Sequence, residues 1–134
     1  HFKGTHGPKD ITVIERGGGG CPGGDAALFE GFMDFLSALA CGVLADGTTA
    51  VVLNSAALRA RAARWLAERG PTAVHLYLDH DAAGRELTTY FSTHLPSLAV
   101  SDRSSRYVGY KDFNEYVAAR RTRSDIETIA NQHH

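Results

Sequence analysis

The stretch from Val74 to Glu86, which reads VHLYLDHDAAGRE, decides how the rest of the chain is interpreted. It begins as an apolar, β-prone run and then presents two carboxylates two positions apart, Asp79 and Asp81. Small residues, Gly84 and a helix-like segment follow. A buried strand that ends in acidic residues and turns into a helix is typical of an α/β domain, which presents such charges at the carboxyl edge of its sheet.

Two carboxylates this close repel each other unless a cation lies between them. Hard divalent cations with oxygen ligands, Mg²⁺ above all and otherwise Mn²⁺, are the usual solution. An EF-hand calcium loop is excluded, because Ala83 and Tyr90 stand at the fifth and twelfth loop positions, where oxygen ligands are needed. Two other interpretations stay open: an aspartyl-phosphate pocket, and a pair of acids that only caps the following helix.

The composition favours one compact domain. The chain has 134 residues, of which 43% are apolar and 22% charged, and its net charge is −1. This balance gives no general attraction to nucleic acid or to an acidic membrane, so any nucleic-acid contact must come from local patches. Cys21 and Cys41 lack the paired spacing of a zinc site and indicate a reducing, cytoplasmic setting.

The sequence has no apolar run of membrane-spanning length and no visible signal peptide. It starts at His1 without a methionine, and we expect it to be a piece of a longer protein.

Apolar runs alternate with helical patterns along most of the chain. Residues 1–25 are predicted to form a lead-in with a short edge strand at Ile11–Glu15 and a flexible glycine-rich loop at 17–24, which lacks the lysine of a phosphate loop. Residues 26–121 carry the domain, and residues 122–134 form a tail. Strands are predicted to start at Ala26, Ala50, Val74 and Leu98, and helices to cover Phe32–Ala40, Ala57–Arg69, Ala83–His94 and Asp112–Arg121.

This alternation predicts an α/β fold with a mostly parallel sheet of about four strands flanked by helices. The Ile11 strand is expected to pair with the Ala26 strand as an antiparallel hairpin at one edge. The first helix has apolar residues at helical spacing, which are Phe32, Phe35, Leu36 and Leu39.

Three of the predicted strands end in polar side chains that should share one edge of the sheet. Glu30 follows the first of them, Asn54 the second, and Asp79 with Asp81 the third. One glutamate and two aspartates can hold one or two Mg²⁺ ions, and Asp34, one helical turn after Glu30, can add an outer carboxylate. Asn54 is expected to hydrogen-bond the Glu30 carboxylate or a phosphate, or else simply to begin a turn.

Two motifs together resemble the Toprim domain, a catalytic module of bacterial DNA primases, topoisomerases, old-type nucleases and the RecR repair protein. They are FEGFMDFL at 29–36 and LDHDAAGR at 78–85, which give a glutamate after the first core strand and a DxD pair after the third. The resemblance covers roughly residues 26–117. The first motif and GYKDFNEY at 109–116 resemble the primase branch in particular; Asp112 matches the first aspartate of the primase segment, whereas Asn114 departs from the second.

The resemblance implies a Toprim (Rossmann-like) fold and a Mg²⁺-dependent domain of a primase-like replication or mobile-element protein. Such a domain would synthesise primers by nucleotidyl transfer on single-stranded DNA, from nucleoside triphosphates, with a helicase or another replication or mobilisation protein as partner. The implied alternatives are phosphodiester cleavage, as in Toprim nucleases and topoisomerases, and a non-catalytic DNA-repair binding module. The zinc domain that often precedes this form of Toprim is not present in the sequence, and activity without flanking domains stays an open question.

The expected site residues follow the same pattern. Glu30, Asp79 and Asp81 are the expected catalytic and metal-binding residues, and Glu30 is alternatively a general acid or base. Asp34 and Asp112 are expected to extend the metal site. Phosphate contacts, near the acidic edge, are expected from Lys111, Arg85, Asn54 and Arg106.

Overall fold

A computed structural model describes residues 10–16 and 23–121 of the chain. The strands are β1 (Thr12–Ile14), β2 (Ala26–Phe29), β3 (Thr49–Val52), β4 (Ala73–Tyr77) and β5 (Ala99–Asp102). The helices are α1 (Phe32–Cys41), α2 (Arg59–Arg69), α3 (Ala82–His94) and α4, which runs from 113 to 121, the last residue described. Most of the predicted lead-in and glycine-rich loop, and the predicted tail, lie outside the described residues. None of the helices within the described ranges has the length and apolar character needed to cross a bilayer.

The five strands form one sheet in the order β1-β3-β2-β4-β5. Strands β3, β2, β4 and β5 are parallel, and β1 runs antiparallel at one edge. This confirms the predicted α/β fold, with its mostly parallel sheet, its flanking helices and its antiparallel N-terminal edge strand. Every side chain of β2 and β3 is buried, as expected where helices cover both faces of a parallel sheet.

The predicted pairing of the first strand with β2 is wrong. Strand β1 pairs with β3, with Val13 opposite Val51, because β2 lies between β3 and β4 and both of its edges are occupied. Asn54, just beyond β3, adopts a left-handed φ of 66°. Its side-chain amide donates to the Asp10 carbonyl at 3.0 Å and to the Thr12 hydroxyl at 2.8 Å, which ties β1 to the end of β3.

Two hydrophobic cores cover the two faces of the sheet. On one face, α2 and α3 contribute Leu66 and Phe91 to a core that includes Leu28 and Leu76 of the sheet. On the other face, α1 and α4 cover an aromatic cluster, whose members are Phe29, Phe35, Tyr77, Tyr107 and Phe113. Each large apolar side chain buried in this way stabilises the fold by roughly 1.5–3 kcal/mol, which makes the strand ends a firm platform.

Helix α1 lies where predicted, but most of its predicted apolar residues do not face the core. Phe35 is buried, whereas Phe32 is 47% exposed, Leu36 38% and Leu39 44%. We attribute this orientation to Asp34, which is buried and accepts a hydrogen bond from the backbone N–H of Asn114 at 2.9 Å. The bond holds a carboxylate on the inner face of the helix, where it is buried together with Phe35 and Ala38.

The register of β2 and β4 positions the acidic residues. Phe29 lies opposite Tyr77 in this parallel pair, so the residues that follow both strands leave the sheet at the same edge. Gly84, in the first turn of α3, is buried, and a Cβ atom built on it would overlap the carbonyl oxygen of Asp79. The connection between β4 and α3 therefore has room only for glycine at this position.

We expect Gly84→Ala to destabilise the protein by about 2 kcal/mol or more, because the added methyl group meets backbone that cannot move aside. Gly31→Ala is the matched control, since the nearest atom to a Cβ there is Asp34 Oδ2 at 3.8 Å and the φ of −126° suits alanine. Urea unfolding measures both variants. Equal midpoints for the two would contradict the close contact between α3 and Asp79.

Candidate metal centre

Three acidic side chains meet at the carboxyl edge of the sheet. Glu30 directly follows β2, Asp79 lies two residues beyond β4, and Asp81 is the N-cap residue of α3. Each offers a carboxylate oxygen, and these oxygens all lie within 4.8 Å of one another. We call this group the edge triad.

Backbone N–H groups anchor two members of the edge triad. Glu30 Oε2 accepts a hydrogen bond from the Asp79 N–H at 2.6 Å, and Asp81 Oδ1 accepts one from the Gly84 N–H at 2.8 Å. The helix-capping interpretation therefore applies to Asp81. It does not apply to Asp79, whose Oδ1 is buried without a hydrogen-bond partner in the part of the chain that the structure describes. A buried carboxylate oxygen that lacks a donor is costly, and it fits the role of a metal ligand.

Asp79 also belongs to a second group, which we call the inner triad. Its other members are Asp34 and Asp112, and their oxygens again lie within 4.8 Å of one another. Asp34 Oδ1 accepts the Asn114 N–H at 2.9 Å, and Asp112 Oδ1 accepts the Glu115 N–H at 2.8 Å. The structure thus brings together every acidic residue that the sequence predicted for the site, in two triads that share Asp79.

Asn114, where the resemblance expects a second aspartate, connects α4 to α1. Its backbone N–H donates to Asp34, and its side-chain oxygen accepts a hydrogen bond from the Ser37 hydroxyl at 2.7 Å. The residue at this position therefore holds a neighbouring carboxylate in place instead of adding one.

The clustered carboxylates have an increased affinity for protons. Burial raises the pKa of Asp79 to about 7, and the charges of Glu30 and Asp34 add to the rise. Burial raises the pKa of Asp34 to about 6, although the hydrogen bond from the backbone of Asn114 opposes it. The pKa of Glu30 is also raised, chiefly by burial. Carboxylates retain protons near neutral pH when no nearby positive charge stabilises their ionised form. A divalent cation would supply that charge.

The two cationic residues near the site contact it in different ways. Lys111 is exposed, and its backbone carbonyl accepts the His80 N–H at 2.7 Å, between Asp79 and Asp81. Its charge lowers the pKa of Glu30. Arg85 packs against the connection between β4 and α3. Its Nη1 donates to Asp102 Oδ2 at 3.2 Å, and its Nη2 lies 3.4 Å from the Asp79 carbonyl oxygen. Its Nε is buried and has no hydrogen-bond partner among the described residues, and the phosphate contact expected from Arg85 stays a prediction.

The other two expected phosphate-binding residues are Asn54 and Arg106. Asn54 lies beside the edge triad, because its backbone N–H donates to the Glu30 carbonyl at 3.1 Å, but its side chain has other partners. The Asn54 amide bonds Asp10 and Thr12, so it does not bond the Glu30 carboxylate, which was one of the expectations for it. Arg106 lines a cavity on the α1 face of the sheet, not the acidic edge near which it was expected. Its position follows from the 3₁₀ turn Ser104–Tyr107, which the sequence pattern did not reveal.

Sequence reasoning missed Tyr107 as a residue that positions the site. It is fully buried, and its hydroxyl donates to the Leu78 carbonyl at 2.7 Å. Its ring also contacts the His80 ring, with 5.0 Å between centroids. Tyr107 therefore contacts the residues on both sides of Asp79. In the sequence, Tyr107 is an aromatic residue within a polar loop, and this pattern does not show which residues it contacts.

Comparisons with known proteins agree with this geometry. A family model described as Toprim-like matches residues 27–117. Among solved structures, the chain is similar to the primase fragment of the bacteriophage T7 primase-helicase protein, with a TM-score of 0.59 and 22% sequence identity. The match covers 78% of this chain and 43% of that fragment, so the chain spans less than half of its length. At this identity the likeness shows the fold alone. No curated protein matches the chain significantly.

The raised pKa of Asp79 predicts that the metal-free protein loses stability as pH rises. The folded state keeps this proton up to about pH 7, whereas the unfolded chain releases it near the ordinary pKa of 3.8. Between these values the unfolded state binds fewer protons, so the free energy of unfolding decreases with pH. In the presence of a chelator, this contribution should lower the melting temperature between pH 5 and pH 7.5.

Asp79→Asn should reduce this pH dependence, because one of the titrating carboxyl groups is gone while the raised pKa values of Asp34 and Glu30 still contribute. Asp46→Asn, which removes an exposed carboxylate before β3, should leave it as in the wild type. Thermal melts at the two pH values measure the effect. An Asp79→Asn variant with the same pH dependence as the wild type would contradict the raised pKa of Asp79.

Proposed function

This chain belongs to the Toprim-like family, and from that premise we propose that it is the Mg²⁺- or Mn²⁺-dependent catalytic domain of a primase-like protein. In this proposal residues 26–121 form the catalytic domain. It synthesises primers by nucleotidyl transfer from nucleoside triphosphates on single-stranded DNA, during replication or mobile-element transfer. The setting is cytoplasmic, and a helicase or another replication or mobilisation protein is the partner.

The observation that carries the proposal is the position of Asp79. Its carboxylate belongs to both triads, and its buried Oδ1 has no hydrogen-bond donor within the described residues. The other members of the two triads are all carboxylates, the ligand type that Mg²⁺ and Mn²⁺ prefer. The edge triad and the inner triad are thus a donor set suited to one or two hard divalent cations.

Each side chain has a distinct part in this chemistry. Asp79, Asp81 and Glu30 would hold the ion at the edge, and Asp34 and Asp112 would extend the site inwards. A bound divalent cation would polarise a phosphoryl oxygen and favour deprotonation of an attacking hydroxyl group.

Glu30 has an alternative role as a general acid or base. Its Oε2 is held by the Asp79 N–H, and burial raises its pKa, so Oε1 is the atom suited to exchange a proton with the reacting hydroxyl. In that case the aspartates hold the ion and Glu30 moves the proton.

Phosphate binding at the edge is assigned first to Lys111. It is exposed and near Glu30, where its charge would offset the repulsion between the carboxylates and a polyanion. The partner assignment draws on the T7 fragment, whose parent is named a primase-helicase protein. The same acidic site would also suit phosphodiester cleavage, and the reaction assay below separates the two.

Metal binding is tested with Asp79→Asn and the control Asp46→Asn. At pH 7.5, a concentration of Mn²⁺ ten times its Kd should stabilise the wild type and the control by about 1.4 kcal/mol. Asp79→Asn should lose this response, although its metal-free form should melt higher because repulsion is relieved. Calorimetric titration and thermal melts provide the measurements. Absence of any metal response in the wild type would overturn the site.

The reaction is tested by incubating the 134-residue chain with nucleoside triphosphates, a single-stranded template and Mg²⁺, beside a plasmid-nicking assay. We expect primer synthesis without nicking, reduced roughly 100-fold or more in Asp79→Asn. Nicking without synthesis would instead support the cleavage reaction. Metal and DNA binding with neither reaction would favour a binding module and count against primer synthesis by this chain.

A further inference from the structure

A second polar site lies on the α1 face of the sheet, towards the amino ends of β2 and β4. It is a cavity of about 260 Å³, partly open to solvent. Its polar lining comes from Asp25, Thr48, His75, Tyr77, Arg103 and Arg106, and Val43 and Leu44 form an apolar wall. His75 precedes Asp79 by four residues on the same strand, roughly 13 Å along it, so the cavity is separate from the metal centre.

A chain of hydrogen bonds organises the cavity. His75 Nε2 lies 2.9 Å from Asp25 Oδ2, and Arg103 donates to His75 Nδ1 from Nε at 3.2 Å and from Nη2 at 3.0 Å. Arginine can only donate, so Nδ1 is the acceptor and Nε2 carries the hydrogen that bonds Asp25. The ring in this tautomer is neutral. It therefore orients the guanidinium of Arg103 without neutralising its charge.

The cavity has an excess of positive charge. Asp25 is its one carboxylate, and that carboxylate bonds His75. Within residues 10–16 and 23–121, neither Arg103 nor Arg106 forms a salt bridge, and the Arg106 side chain has no hydrogen-bond partner. Tyr77 lines the same cavity as Arg103 and Arg106. Burial raises the pKa of its phenol, and the charges of Arg106 and Arg103 oppose that rise.

We propose that this cavity binds a small phosphate monoester through Arg103, Arg106 and the Tyr77 hydroxyl. Guanidinium groups match phosphate oxygens in paired, charge-assisted hydrogen bonds. The volume corresponds to roughly nine water molecules of ~30 Å³, enough for a phosphate and a sugar-sized body. Val43 and Leu44 would contact the carbon atoms of that body. The cavity shares no lining residue with the two triads, so this proposal does not depend on metal binding or on primer synthesis.

The test titrates inorganic phosphate and ribose 5-phosphate into the 134-residue chain in a calorimeter, with a chelator present so that no metal ion bridges phosphate to the acidic edge. Arg106→Gln is the principal variant, because this exposed side chain has no hydrogen-bond or salt-bridge partner among the described residues whose loss would disturb folding. Arg64→Gln is the control. It removes the same charge from an exposed position on α2, which packs on the opposite face of the sheet.

We expect both phosphates to bind, ribose 5-phosphate more tightly, and ribose alone not to bind. Arg106→Gln should weaken ribose 5-phosphate binding roughly ten-fold or more, whereas Arg64→Gln should leave it within about two-fold. No binding, or an equal loss in both variants, would overturn the proposal. An oligothymidylate without a terminal phosphate that displaces ribose 5-phosphate would also overturn it, because the cavity would then bind the phosphodiesters of a strand.

Discussion

The hydrogen bond from the Asp79 N–H to the Glu30 carboxylate joins the ends of two neighbouring parallel strands at 2.6 Å. It depends on the register that sets Phe29 opposite Tyr77, because a slip of β4 by one residue would turn the Asp79 side chain to the other face of the sheet. Backbone N–H groups also hold the carboxylates of Asp81 and Asp34. The main chain, rather than mobile side chains, thus fixes the oxygen atoms around Asp79, which is the rigidity that a metal site requires.

This arrangement destabilises the metal-free protein locally, because buried carboxylates face one another without enough positive charge. The two cores offset that cost, and their aromatic side chains reach the site itself. Tyr107 packs within the core of the α1 face and donates to the Leu78 carbonyl, next to Asp79. The cores on both faces of the sheet thus stabilise a domain whose acidic edge is destabilised by repulsion between buried carboxylates.

Much of the fold was predictable from the sequence, and so was the meeting of Glu30, Asp79 and Asp81, for a geometric reason, whereas Asp112 was expected from the resemblance to primase Toprim domains. Parallel strands deliver the residues that follow them to one edge, so a glutamate after one strand and a DxD pair after another must meet. The partner of β1 was not predictable in the same way. Proximity in sequence suggested β2, but both edges of β2 are used by strands that come later in the chain. The inward turn of Asp34 likewise depends on Asn114, which lies 80 residues away. The partners of the long Arg85 side chain, such as Asp102, are set by proximity in space, which local sequence patterns do not encode.

Alternation along β4 explains how an acidic and a basic site coexist in so small a domain. Val74 and Leu76 enter the core beneath α2 and α3, whereas His75, Tyr77 and then Asp79 lie towards α1. Tyr77 lies between His75 and Asp79 along this strand, and its ring is stacked on Phe29 at 5.2 Å and edge-on to Phe113 at 5.3 Å. Arg103 is held in the cavity by its hydrogen bonds to His75. The residues of one face of β4 and its extension thus serve first a basic cavity and then an acidic edge.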